Sequence, residues 1–252
     1  MALFNWLLTL CGATILWLVA VLVNRRNVRA HDGSGSSDAD LIVFVEPVRW
    51  LFVIWGFAPF CRGLRLAGCT AHVRLFRWSG IAGSLLVIPD LVGHRRLLRK
   101  AKRLARQLDA SAAERPGRRI HLIGYSTGSY VALEACKGMT KPGDIRTVVL
   151  LASTVSPGYQ LEDLAGHVQR LYSFHSPLDF INLIGPMLFG SDDRRWGPAG
   201  GAIGFRRLPP WAGQRSWRLQ DTATGYLGDH FTVVAPRFVA RHVTPLLSHS
   251  TR

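Results

Sequence analysis

The chain has 252 residues, enough for one domain with a sizeable core and an appendage. Its 31 Lys and Arg against 16 Asp and Glu leave a formal charge of +15, which should attract polyanions or an anionic membrane. No zinc-finger spacing, RNP-type aromatic motif or Gly-rich phosphate loop accompanies that charge, which argues against a nucleic-acid reader; four cysteines with neither a CxxC pair nor a dense framework point to a reduced compartment and give no metal site.

Ala2 to Val23 is uncharged and mostly apolar. At about 1.5 Å per residue it is long enough to cross a hydrocarbon core of about 30 Å. Arg25, Arg26 and Arg29 come after the run, whereas a cleaved signal peptide would place its basic residues before it. Residues 1–23 are therefore expected to form one transmembrane helix, and the positive-inside rule puts the C-terminal remainder of the chain in the cytoplasm. Residues 24–40, with Gly33-Ser34-Gly35-Ser36-Ser37, read as a flexible basic linker. Residues 41–252 read as the folded domain.

Leu41 to Val45 and Trp50 to Trp55 are β-branched and aromatic runs broken at Glu46-Pro47, and are expected as the first strands or one interrupted strand. Phe60 to Leu66 suits a crossover helix. Two runs, 71–76 and 84–88, compete for the next strand, and the earlier is favoured because the later one is apolar enough to cover a site or touch lipid. Leu97, Leu98, Ala101, Leu104, Ala105 and Leu108 fall at helical spacing, with Arg and Lys on the other faces. Ile120 to Ile123 is a buried-strand signal, succeeded by Gly124-Tyr125-Ser126-Thr127-Gly128 and by helix formers from Tyr130 to Cys136. Further strands are expected over Arg146–Ala152, Leu171–Phe174 and Ser216–Leu219, and a terminal helix around Pro236 to Leu247. Strand, helix, strand around Ser126 is the right-handed unit of a parallel sheet.

A strand, then Gly124-Tyr125-Ser126-Thr127-Gly128, then a helix resembles the nucleophile elbow of the α/β-hydrolase fold. The resemblance covers residues 41 to 248 and implies an α/β architecture, a mostly parallel central sheet with helices on both faces, here preceded by the transmembrane helix. It also implies a serine hydrolase that cleaves an acyl ester, thioester or amide through an acyl-enzyme and needs no cofactor. Ser126 would be the nucleophile and His230, in Gly228-Asp229-His230-Phe231, the base. Asp179, in the loop after the Leu171–Phe174 run, would hold the imidazole, with Asp192 and Asp193 in reserve; the competing role for Asp179 is to cap the helix near Phe180. The backbone N–H groups of Thr127 and Phe57 would hold the oxyanion, Trp55-Gly56-Phe57 standing where the fold commonly has His-Gly-x.

Gly185 to Gly213 spreads Trp, Phe, Pro and Arg among glycines and is expected as a lid or interfacial loop. The expected partners are a small-molecule or lipid acyl substrate and a membrane, met through the N-terminal helix and the basic surface. The rival function is a membrane-tethered binding or scaffold protein that keeps the fold without turnover.

Overall fold

The computed structural model describes residues 2–36, 39–80, 93–141 and 143–248, with side chains described between residues 13 and 247. Among the described residues six strands lie in one sheet: β1 (Leu41–Val45), β2 (His72–Phe76), β3 (Ile120–Tyr125), β4 (Ile145–Leu151), β5 (Val168–His175) and β6 (Ala212–Ser216). Their spatial order is β2-β1-β3-β4-β5-β6, and every pairing is parallel. All residues of β1 and β3 are buried, the consequence of a sheet covered on both faces.

Side-chain alternation sorts the core into two layers. Leu41, Val43, Val45, Ile120 and Leu122 point to one face. There they meet Leu97, Leu104 and Leu108 of α3 (His94–Glu114) and Val131, Leu133 and Cys136 of α4 (Gly128–Lys137). Ile42, Phe44, Ile123 and Tyr125 point to the other face and meet Phe57, Phe60 and Leu64 of α2 (Phe57–Leu66). The C-terminal elements add Phe238, Val239 and Val243 to this layer. Each such side chain, withdrawn from water, contributes about 1.5–3 kcal/mol relative to exposure.

The N-terminal helix α1 (Ala2–His31) runs for 30 residues, past the expected end of the apolar run. The flexible linker expected over 24–40 is thus helical as far as His31, and Val28 is buried in the second core layer. Beyond it, Gly33 N–H donates to Val73 O at 2.8 Å and Ser34 bridges Val73 on β2, so the Gly-Ser stretch is tied to the sheet by its backbone. The transmembrane helix expected over 1–23 falls in large part on residues 1–12, which lie outside the described side chains. Among the described residues no helix is long and apolar enough to cross a membrane.

Residues 50–55 form no strand. Leu51 and Phe52 turn the chain at φ 49° and 64°, and only an isolated bridge joins Trp50 to Val53. Of the two competing runs, 72–76 is the sheet strand, and 84–88 lies outside the described residues. The strand expected over Ser216–Leu219 sits earlier, at Ala212–Ser216, on the sheet edge.

The expected lid over 185–213 is largely built into the fold. Helix α5 (Phe180–Phe189) enters it, and α6 (Gly200–Ile203) packs on the chain leaving β4. Gly200 and Gly201 donate to Val155 O and Ser153 O, both at 2.7 Å. A Cβ on Gly201 would stand 2.6 Å from Ala152 C, so this glycine serves close approach and not mobility.

Candidate active site

β3 ends in a turn so sharp that Ser126, at φ 53°, takes a left-handed conformation that a residue with a Cβ adopts only at a cost. Ser126 N–H still donates to Leu151 O of β4 at 3.0 Å, while Ser129 N–H donates to Ser126 O at 2.9 Å. One residue thus closes the strand and opens helix α4. The flanking glycines make room for it. A Cβ on Gly124 would fall 2.6 Å from Ser129 Cα, and one on Gly128 would fall 2.3 Å from Val45 O.

Asp179 stands in the loop after β5 and caps α5, accepting from Asn182 N–H at 3.0 Å. His230 lies between the 3₁₀ turn Leu219–Thr224 and the terminal helical segment that starts at Pro236. Its Nδ1 is 2.9 Å and 3.1 Å from the two Asp179 carboxylate oxygens, and its Nε2 is 3.0 Å from Ser126 Oγ. Asp179 is 1% exposed, while Ser126 and His230 are each 7% exposed, so the acid is sealed and the other two touch the cavity. With the proton on Nδ1 facing the carboxylate, Nε2 is left to accept the serine O–H. Asp179 thus makes the cap contact and the His230 contact at once.

The reserve acids are elsewhere. Asp192 accepts from Thr154 Oγ1, and burial together with the neighbouring Asp193 pushes its carboxyl up to about 8. Asp193 accepts from Ser156 N–H at 2.9 Å and from Ser191 Oγ at 2.7 Å. Asp229, although beside His230 in sequence, turns to Phe231 N–H at 2.7 Å and Thr232 N–H at 3.0 Å.

Three supporting residues have weak sequence signals. Asn182 Nδ2 donates to Asp179 Oδ2 at 2.7 Å and to Ala152 O at 2.8 Å, which holds the carboxylate against the sheet. Its place three residues after a helix cap is the signal that could have found it. Tyr125 donates its hydroxyl to His230 O at 3.0 Å and stacks on the imidazole with ring centres 5.7 Å apart. Val48 is the third. A cavity of about 180 Å³ opens at Ser126, and its wall includes Val48, Trp50, Trp55, Thr127, Ile181 and Phe231.

Phe57 is not part of that wall; its side chain is fully buried against Phe44. Phe57, the expected donor, thus stands apart from the cavity, and the loop that directly follows the strand comes earlier in the chain. β1 stops at Val45, so the loop after it reads Glu46-Pro47-Val48, and Val48 is the first residue there after Glu46 with a backbone N–H. Glu46 does not face the cavity chemistry. Its buried carboxylate accepts from Trp78 N–H at 2.9 Å, Ser79 N–H at 3.0 Å and Arg49, fastening this loop to the chain after β2. Among the described residues no group of three or more His, Cys, Asp or Glu is arranged to hold a metal ion.

A model of the alpha/beta hydrolase family matches residues 49–249. No curated protein matches the sequence. Among solved structures, TT1662 from Thermus thermophilus is similar at 14% identity and a TM-score of 0.52, over 86% of this chain and 90% of that one. The carboxylesterase CesB from Bacillus subtilis aligns at 9% identity and a TM-score of 0.44, over 85% and 86% of the two chains. A cutinase from Trichoderma reesei aligns at 14% identity and a TM-score of 0.44, over 94% and 92%.

Proposed function

Because the chain belongs to the alpha/beta hydrolase family, we propose that it is a serine hydrolase that transfers an acyl group from an ester to water through Ser126, His230 and Asp179. The observation that carries this reading is the unbroken contact from the sealed Asp179 carboxylate through both His230 nitrogens to a hydroxyl held at positive φ beside an open cavity. His230 takes the Ser126 proton as Oγ attacks the carbonyl carbon, then returns it to the leaving alcohol; water repeats the sequence on the acyl-enzyme. Asp179 stabilises the imidazolium formed on the way. Thr127 N–H, at the start of α4, and Val48 N–H, in place of Phe57, are the proposed oxyanion donors.

The rival reading, an inactive binding protein, needs the imidazole to stand away from the hydroxyl, and a 3.0 Å separation gives it no support. For localisation the proposal is attachment to a membrane through α1, with the domain on the cytoplasmic side. Exposed Ile15, Leu16 and Leu22 ahead of Arg25, Arg26 and Arg29 support it.

A fluorophosphonate probe tests the chemistry directly. It should label the wild type at Ser126 and leave Ser126→Ala unlabelled with its fold intact; persistent labelling of that variant would move the nucleophile elsewhere. Acyl esters of increasing chain length, run beside the same variant, then rank the substrates.

A further inference from the structure

The cavity at Ser126 opens within an apolar surface that the described residues leave uncovered. Helix α5 reads Phe180-Ile181-Asn182-Leu183-Ile184-Gly185-Pro186-Met187-Leu188-Phe189 and carries no charge. Asn182 and Pro186 face inward, while Phe180, Ile184, Met187 and Leu188 share the outer face and are 65%, 48%, 54% and 63% exposed. Ordinary crossover helices place polar residues there.

The exposed face is continuous with two other elements. Ile181 of α5 lines the cavity together with Trp50, Trp55 and Phe231, and the Trp55 and Phe231 rings are 5.5 Å apart. The turn that carries Trp50 continues into Leu51 and Phe52, and these receive Trp17 of α1: Trp17 Nε1 donates to Leu51 O at 3.2 Å, and its ring lies 6.1 Å from that of Phe52. From Trp17 the outer side of α1 extends the surface through Leu16, Val19 and Val23. Single exposed apolar residues mean little, but a contiguous apolar surface around a site marks an interaction face.

We propose that this face rests on an anionic lipid bilayer, with α5 and the 50–55 turn pressed into the headgroup boundary, so that the cavity takes an acyl ester carried in the leaflet. Two observations favour lipid over a second copy of the chain. The formal charge of +15 repels another copy and attracts anionic headgroups. Trp50 and Trp55, half-exposed at the rim, suit the water–lipid boundary, where an indole can be wet at one end and apolar at the other. The docking half stands without catalysis; the substrate half rests on the hydrolase reading.

Photolabelling tests the docking half. The full-length Ser126→Ala chain, which removes turnover, is mixed with vesicles of phosphatidylcholine, with or without phosphatidylserine, that carry a phosphatidylcholine bearing a diazirine in its acyl chain. Peptides covering residues 180–189 should carry adducts, more of them with phosphatidylserine, and Ile184→Ser with Leu188→Ser should lower those adducts about tenfold. Adducts confined to α1 would overturn the docking, as would a dimer in solution whose α5 stays unlabelled. For the substrate half, the otherwise native chain and the double-serine variant are given a soluble short-chain ester and a long-chain ester held in the same vesicles. The variant should keep its rate on the first and lose about tenfold on the second. Equal rates on the vesicle ester would overturn the substrate proposal. A native chain that hydrolyses neither ester would also overturn the substrate half through failure of the hydrolase reading, while the α5 adducts would still stand.

Discussion

His230 and Asp179 lie 51 positions apart in the chain, yet the ring Nδ1 stands 2.9 Å from a carboxylate oxygen that solvent scarcely reaches. The same carboxylate caps α5 through Asn182 N–H, so the helix fixes the acid and the acid fixes the ring. Asp179→Asn separates the two duties. An amide oxygen can still accept from Asn182 N–H, so the cap survives, but the bond from Asn182 Nδ2 to the second carboxylate oxygen is lost, and stability should fall by about 1.5–3 kcal/mol. The amide cannot hold the imidazole in the tautomer that leaves Nε2 free, so ester turnover should fall roughly 10⁴-fold. Turnover and urea titration on the same preparation check both; equal losses in each would mean that Asp179 acts only as a cap.

Asn182 touches Asp179 and stays off the cavity wall. Its amide donates to the carboxylate oxygen nearest His230 and to Ala152 O, and no part of the side chain is exposed. Asn182→Ala removes one hydrogen bond to an ion, worth about 1.5–3 kcal/mol. If that bond orients the acid, kcat should fall roughly 10- to 100-fold with KM unchanged, since the amide is absent from the cavity wall. A change in KM alone would count against the positioning role.

Much of this architecture is legible from residue type, and the misses have physical causes. Val148-Val149-Leu150-Leu151 and Leu41-Ile42-Val43-Phe44-Val45 are runs that only a sheet buried on both faces accommodates, so β4 and β1 can be read directly. Trp50 to Trp55 has the same aromatic and branched character, but Leu51 and Phe52 take positive φ, and no composition marks that choice. The same misreading puts the loop after the first strand at Trp55-Gly56-Phe57, whereas that loop begins at Glu46 and brings Val48 to the cavity wall. β6 is the opposite case. Ala-Gly-Gln-Arg-Ser on an edge strand has no apolar run to betray it. Asp179 and His230 are legible only through their order after Ser126, because neither carries a local signal that separates it from other acids and histidines.

The elbow glycines can be tested without touching chemistry. A Cβ on residue 128 would meet Val45 O at 2.3 Å and Glu46 O at 2.6 Å, and both are backbone atoms of the central strand and the loop after it. Neither atom can rotate away, so Gly128→Ala should either cost about 2 kcal/mol or more or push helix α4 off the sheet. Urea unfolding monitored by tryptophan fluorescence measures the first outcome. A variant as stable and as active as the parent would mean that the helix and strand are farther apart than these contacts require.

Asp192 sets a pH dependence of stability independent of turnover. Burial, with Asp193 beside it, holds its carboxyl proton on in the folded chain up to about pH 8, against an ordinary value of 3.8. Between those values the folded protein binds a proton at this site that the unfolded chain has released, so this site's contribution to stability falls as pH rises. Below about pH 4 both states are protonated and the penalty vanishes; above about pH 8 both are ionised and it is complete. Asp192→Asn keeps an acceptor for Thr154 Oγ1 and cannot ionise. The variant should therefore match the parent near pH 4 and gain on it steadily up to about pH 8, read as urea midpoints across that range. A difference between the two that stays constant with pH would mean that Asp192 is already ionised in the fold, with a partner strong enough to offset its burial.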